Sequence, residues 1–282
     1  MDLRGYLLER KPLVEDVLEA VLPAADTPPA GLHAAMRHLV FPGGKRLRPM
    51  LAMAAAEAVG APSERALPVA AAVELIHNYS LIHDDLPCMD DDAERRGRPT
   101  VHVAFGEAMA VLAGDALLAV ALAAVASACP EQAIAPERRL AATAELAQAA
   151  GSLALVGGQA DDLTFDASRA DAAYVESIHR RKTAALITAS IVGGAILGGA
   201  DAAAQGRLRR FGEAVGVAFQ IADDLLDADD DEPCSLVGLL GAEAAGARGE
   251  DLLESAMREV ESFGERAEPL RGLARYALRR RE

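Results

Sequence analysis

Apolar residues recur at intervals of three and four along nearly the whole chain, and clusters of proline and glycine interrupt them. The pattern predicts helices. The first runs to about residue 21 and ends in "PAADTPPAG"; a second covers 32–39, before "FPGGKRLRP". A third starts near Pro49 and ends at "VGAPS", and a fourth starts near Leu67 and runs into an acidic cluster. Further helices are expected over 105–128, 137–155, 171–180, 183–197, 203–228 and 250–280. No alternating pattern long enough for a useful strand is present. The expected fold class is all-α: a multi-helix bundle whose long antiparallel helices enclose a deep central cavity. No Pro/Gly/Ser-rich linker divides the chain, so residues 1–282 are read as a single domain.

Composition agrees with the helical reading. Alanine and leucine dominate, aromatic residues make up 4%, and tryptophan is absent. The uncharged stretch 183–200, "TAALITASIVGGAILGGA", has nearly the length of a membrane span. Four glycines, Thr188 and Ser190 dilute it, and it is read as a buried core helix, with no membrane span expected. The N-terminal residues carry charge every few positions and lack a signal-peptide apolar core. Three cysteines, Cys88, Cys129 and Cys234, fit neither a disulfide framework nor a zinc pattern, so a reducing cytoplasm is expected.

Charge changes the picture more. Twenty-eight basic against 43 acidic residues give a net charge of −15, which argues against nucleic acid as a partner. An anionic substrate would need metal ions or local basic groups to reverse that field. Yet "SLIHDDLPCMDDDAERRGRPT" concentrates Asp84, Asp85, Asp90, Asp91 and Asp92 directly after an apolar run. A second cluster, "FQIADDLLD", places Gln220, Asp223, Asp224 and Asp227 at i, i+3, i+4 and i+7, on one helical face. Like charges at this spacing are unfavourable on a bare helix. Two such clusters facing each other across a cavity are tolerable if they share hard divalent cations. Mg²⁺ suits the task, because it binds a few carboxylates and keeps its other positions for water and phosphate oxygens. A calcium loop fails, since Glu232 and Gly238 stand where glycine and glutamate are required, and "GGKR" is no Walker motif.

Basic groups recur too: Lys45, Arg46 and Arg48; Arg95 and Arg96; Arg180, Arg181 and Lys182. Guanidinium forks and ammonium groups beside two metal-type clusters point to a substrate bearing diphosphates.

Five blocks, "GGKRLRP", "LIHDDLPCMDDD…RRG.PT", "GGQADDL", "RRKTAAL" and "FQIADDLLD", stand in the order and spacing of the short-chain trans-prenyl diphosphate synthases. The chain resembles the bacterial farnesyl and geranylgeranyl types over roughly residues 30 to 228. The resemblance implies an isoprenoid synthase fold and 1′-4 condensation of isopentenyl diphosphate with an allylic diphosphate, dimethylallyl or geranyl, to farnesyl diphosphate. It implies three Mg²⁺ ions on Asp84, Asp85, Asp90, Asp223, Asp224 and Asp227, with Asp91 and Asp92 in support. Arg95 and Lys182 are then expected on the allylic diphosphate, and Lys45, Arg48, His77 and Arg96 on isopentenyl diphosphate. Thr183 and Gln220 would turn their oxygens toward the allylic cation. A homodimer is implied as well.

His77 lies seven residues before Asp84, two turns down the same face, which favours a place in the site; His83 and His102 are read as structural. Tyr79 lies five residues before Asp84, about 7.5 Å down the helix axis. At that level the family has the floor of its chain pocket. A bulky Tyr79 suggests a stop at farnesyl; the small Ser80 beside it leaves geranylgeranyl diphosphate as the alternative. The chain departs from the family after the second acidic motif, where a lysine-bearing loop is shortened to "DADDDEPCS" and carries Asp229, Asp230, Asp231 and Glu232. That change predicts weaker substrate binding and a more open site. It is also the one feature in favour of a weakly active regulatory subunit. A class I terpene cyclase is disfavoured by "GGKRLRP", and Arg279, Arg280 and Arg281 are read as a helix-end cluster.

Overall fold

The stretch without charge forms the centre of the protein. The computed structural model describes residues 2–41, 43–166, 168, 171–226 and 234–278. Its helices are α1 (Leu3–Val21), α2 (Ala30–Val40), α3 (Leu47–Ala58), α4 (Leu67–Asp84), α5 (Val101–Phe105), α6 (Glu107–Ser127) and α7 (Pro136–Ala150). They continue as α8 (Leu155–Leu163), α9 (Ala172–His179), α10 (Ala185–Gly198), α11 (Ala202–Leu226), α12 (Leu236–Leu240), α13 (Ala242–Glu259) and α14 (Glu268–Leu278).

Helix α10 is buried over almost its whole length because α3, α4, α7 and α11 pack around it. Helices that are apolar all round need such surroundings. Small residues set the spacing. A Cβ at Gly194 would overlap the backbone of Ala52 on α3, so the two helices touch main chain to main chain. Alanine-rich α3 contributes Met50, Leu51 and Met53, all fully buried; burying a side chain of that size stabilises by roughly 1.5–3 kcal/mol. Helix α4 is equally buried until its last turn, where it delivers its acidic end to the cavity. A smaller apolar cluster of Val175, Ile178, Val217, Ile221, Cys234 and Leu236 lies under the second acidic motif.

Several boundaries differ from the sequence pattern, each for a local reason. The helix expected over 105–128 breaks at Gly106 (φ +88°) into α5 and α6. The one expected over 137–155 stops at Ala150, and the "GGQADDL" block forms its own helix, α8. The expected 250–280 helix is two, α13 and α14, joined by a 3₁₀ segment that contains Gly264 at φ +64°. A two-strand hairpin, β1 (Glu94–Arg95) and β2 (Arg98–Pro99), also forms, with Arg95 opposite Arg98. Its turn residues Arg96 (φ +55°) and Gly97 (φ +73°) are both left-handed, as tight two-residue hairpins require.

Two segments of the described residues, Glu107–Ser127 and Pro136–Leu163, are long and apolar enough to cross a membrane by length and composition. In α6 the inward face is buried, while Val111 and Leu112 remain exposed. The stretch 183–200 is core, as its dilution by small and polar residues suggested.

Gly194→Ala should lower stability by about 1–3 kcal/mol, because the added methyl has only the α3 backbone to displace. A fall in the urea midpoint with an unchanged m-value would show this, and an unchanged midpoint would contradict the close packing.

Candidate active site

The first acidic motif grows out of the end of α4. Asp84 is the last helical residue, and Asp90 returns to it through a backbone hydrogen bond from its N–H to the Asp84 carbonyl (2.9 Å). Asp84 therefore stands half-buried at a helix C-terminus, beside Asp90 and Asp85. Burial, reinforced by those two carboxylates and opposed by Lys182 and Arg95, pushes its pKa up to about 7. Burial likewise raises Asp85 and Asp90. Asp85 has a different setting: it is fully buried, and its Oδ1 accepts from Arg95 Nε (2.6 Å). Arg95 Nη2 also donates to Asp92 (2.8 Å). Thus Arg95, expected on a diphosphate, is here paired with Asp85 and Asp92. The second oxygen of Asp85 is buried without a partner.

The second motif lies in the last turn of α11. Asp223 lines the cavity. Asp224, expected among the metal ligands, has its oxygens engaged elsewhere. Its Oδ2 accepts from the Leu236 N–H (3.0 Å) and Ser235 Oγ (3.2 Å), and its Oδ1 accepts from Gln220 Nε2 (3.0 Å). It is buried and ties the start of α12 to α11. From α9, His179 Nε2 adds a bond to the Cys234 carbonyl (3.0 Å). Gln220 Oε1 in turn accepts from Thr183 Oγ1 (2.7 Å). Gln220 therefore spends its oxygen on Thr183, and the hydroxyl proton of Thr183 is committed to that oxygen. Asp227 and residues 229–232 lie outside the described residues, as do Arg279, Arg280 and Arg281.

Thr183 and Lys182 sit in a π-helical turn, Arg180–Ala184, between α9 and α10. Such turns are rare and recur at functional sites. Against this turn lies α8, close enough that a Cβ at Gly158 would overlap the Lys182 backbone. Helix α8 supplies what sequence reasoning passed over. Asp162 accepts from Lys182 Nζ (2.5 Å), and Asp161 pairs with Arg181. Burial pulls the Lys182 pKa down, but Asp162, Asp84 and Asp90 outweigh it and hold the ammonium charged. Gln159 presents a side-chain amide to the cavity with neither buried polar atom hydrogen-bonded. The "GGQADDL" block was visible in the sequence; its contact with the π turn was the missing signal.

Two cavities adjoin, sharing Arg48, His77, Leu81 and Thr183. One, of about 590 Å³, is cationic: Lys45, Arg48, Arg95 and Arg96 line it with Gln220 and Asp223. Arg96 stacks over Gly44, where a Cβ would come within 3.3 Å of its guanidinium. Arg46, between Lys45 and Arg48, belongs to the same wall, but its guanidinium is committed to carboxylates. It is buried, left-handed (φ +52°), and paired with Glu74 (2.6 Å) and Glu15 (2.9 Å), so it anchors the loop. Burial, then Arg48, Arg96, Arg95 and Arg46, drive the His77 pKa well below its ordinary value, leaving a neutral imidazole. The other cavity, about 320 Å³, is mostly apolar, with Tyr79, Ser80, His83, Met89, Leu155, Val156, Leu163 and Leu186 in its wall and Asp84 and Lys182 at its mouth.

The donor set suits Mg²⁺. No group of three or more such ligands is preassembled among the described residues. Mg²⁺ needs only one or two carboxylates per ion when phosphate and water complete its shell. Raised carboxylate pKa values and the unpartnered Asp85 oxygen mark a site that lacks positive charge.

The polyprenyl synthetase family pattern matches residues 29–234. The chain is 45% identical over 229 residues to the large subunit 1 of a chloroplastic heterodimeric geranylgeranyl pyrophosphate synthase from Arabidopsis thaliana; the match covers 80% of this chain and 61% of that protein. It is 43% identical over 230 residues to a farnesyl diphosphate synthase from Bacillus subtilis, covering 82% of this chain and 77% of that one. Among solved structures, an FPP/GFPP synthase from Zymomonas mobilis in its apo form superposes with a TM-score of 0.90 at 39% identity, over 98% of this chain and 99% of the other.

Two outcomes follow from the geometry. In an NMR titration of the free protein, His77 should stay neutral at pH 7 and protonate only below the ordinary histidine pKa of about 6.5. Added pyrophosphate should raise that value; protonation at or above about 6.5 without it would contradict the cationic setting. Asp224→Ala leaves the Leu236 N–H and Ser235 hydroxyl without an acceptor, at a cost of about 1–3 kcal/mol. Hydrogen exchange at the Leu236 amide should then speed up by ~10-fold or more, with no such change in Asp223→Ala. Equal protection in both variants would remove Asp224 from the tether.

Proposed function

This chain belongs to the polyprenyl synthetase family, and on that premise we propose that it is a short-chain trans-prenyl diphosphate synthase with the isoprenoid synthase fold. It condenses isopentenyl diphosphate with dimethylallyl or geranyl diphosphate and stops at farnesyl diphosphate. The observation that carries this reading is the junction of the two cavities: a cationic pocket meets an apolar one at Arg48, His77, Leu81 and Thr183, and Asp84 and Lys182 line the apolar one.

In the reaction the allylic C–O bond breaks, the isopentenyl double bond attacks the allylic carbon, and a proton leaves the product. In this reading Lys45, Arg48 and Arg96 hold isopentenyl diphosphate by charge, and neutral His77 can donate one hydrogen bond without adding repulsion. Lys182, kept charged and aimed by Asp162, stabilises the negative charge that grows on the departing diphosphate. Thr183, its proton committed to Gln220, presents lone pairs toward the allylic cation. The apolar walls keep water from capturing that cation. The released diphosphate accepts the proton, so no protein base is required. The family uses Mg²⁺; Asp84, Asp90 and Asp223 would hold it here, joined by Asp227 as the sequence motif implies, with Asp85 and Asp224 acting through Arg95 and Gln220. Three ions are proposed. When bound they supply charge neutralisation to the diphosphate.

Tyr79 on the cavity wall supports the farnesyl product. Geranylgeranyl diphosphate is the second reading, favoured by small Ser80 in the same wall and by the named activity of the Arabidopsis relative. The exposed apolar residues of α6, Val111 and Leu112, support a homodimer in which a second copy, rather than lipid, covers this face. A cytoplasmic setting is proposed from three free cysteines, and nucleic acid is no partner in this reading, given the net charge of −15.

The test is incubation of the purified protein with Mg²⁺, isopentenyl diphosphate and each allylic diphosphate, followed by identification of products by chain length. Farnesyl diphosphate should dominate, and Asp84→Ala and Asp223→Ala should each lower kcat by ~10²-fold or more. No condensation with any primer would instead favour a regulatory subunit, and undiminished turnover in either variant would contradict the two-cluster site.

A further inference from the structure

His83 was read as structural, and the structure gives it a more specific position. It stands one turn beyond Tyr79 on α4, and the two rings meet edge to face with centroids 5.4 Å apart. Both line the apolar cavity. His83 also reaches sideways to α6, where its Nε2 lies 3.2 Å from the Val111 carbonyl. Its ring occupies a notch in that helix. At Gly114 a Cβ would overlap the imidazole, with Cδ2 only 2.5 Å away. Gly114 shows no left-handed backbone that would demand glycine; it lies inside a helix, where glycine is destabilising relative to alanine. Close approach of the His83 ring is the physical reason for it.

Taking the synthase reading as given, we propose that His83, seated in the Gly114 notch of α6, is a specificity-determining residue. Together with Tyr79 it closes the side of the prenyl cavity that faces α6 and so sets where the growing chain stops. Tyr79 blocks the direction along α4, while His83 blocks the direction across it. Without the His83 ring, the cavity gains the space it fills beside Val111 and Gly114, and a longer chain has room to turn between α4 and α6. With a methyl group at Gly114, the ring has no notch and must turn into the cavity, which shortens it.

The experiment compares wild type, His83→Ala, Gly114→Ala and the double variant, each with Mg²⁺, isopentenyl diphosphate and geranyl or farnesyl diphosphate as primer. His83→Ala should move the main product up by at least one isoprene unit and raise kcat/KM for farnesyl diphosphate by ~10-fold or more relative to geranyl diphosphate. Gly114→Ala should shift the distribution toward shorter products, and adding His83→Ala to it should restore the longer ones. General destabilisation would lower all rates without changing the chain-length ratio. A wild-type distribution in every variant, from a wild type that makes prenyl product, overturns this proposal alone. No prenyl product from wild type overturns the synthase reading and this proposal with it.

Discussion

Both acidic motifs stand at the C-terminal ends of long helices, Asp84 closing α4 and Asp223 in the last turn of α11. A helix C-terminus already carries about half a negative charge, so carboxylates there are opposed by the macrodipole. At Asp84 burial opposes the charge again, and neighbouring Asp90 and Asp85 add to it, so its pKa is pushed up to about 7. A fold that served only stability would place lysine or arginine at these ends. The deficit of positive charge is the constraint on which the site depends. It is partly met by Lys182 and Arg95, and it leaves room for divalent cations and for the diphosphate they would carry.

The surrounding structure keeps that deficit from collapsing. Arg95 could neutralise the cleft, but Asp85 and Asp92 hold it to one side. Lys182 could pair fully with Asp84, but Asp162 on α8 draws it back. Arg46 is in the wall of the cationic pocket, but Glu74 and Glu15 hold its guanidinium. Each opposing charge is thus held at a fixed offset, the condition for electrostatic preorganisation. Rigidity at α10 supports the same end. The π turn that carries Lys182 and Thr183 leads directly into a helix packed backbone to backbone against α3.

Much of this was legible in the sequence. The helical periodicity, the buried character of 183–200 and the two acidic clusters follow from local spacing, which a single sequence displays. What was not legible depends on partners distant in the chain. Arg46 looks like its neighbours Lys45 and Arg48 until Glu15 and Glu74 are brought beside it from helices 31 and 28 residues away. Asp224 resembles Asp223 in every local respect; only the return of Ser235 and Leu236 separates a tether from a cavity-lining carboxylate. His83 seems an ordinary helical histidine until α6 presents a glycine to it. Helix ends were lost for a simpler reason: Gly106 and Gly264 adopt left-handed backbone that periodicity does not register.

Two opposing acid walls make one site only if metal ions join them. The most direct measurement is a crystal structure grown with magnesium and a diphosphate-bearing substrate analogue. The account predicts metal ions between Asp84 and Asp90 on one wall and Asp223 on the other, bridged by diphosphate oxygens, with Asp224 still bonded to the Leu236 amide. Metal-free walls at saturating ligand, or ions held by one motif alone, would contradict it.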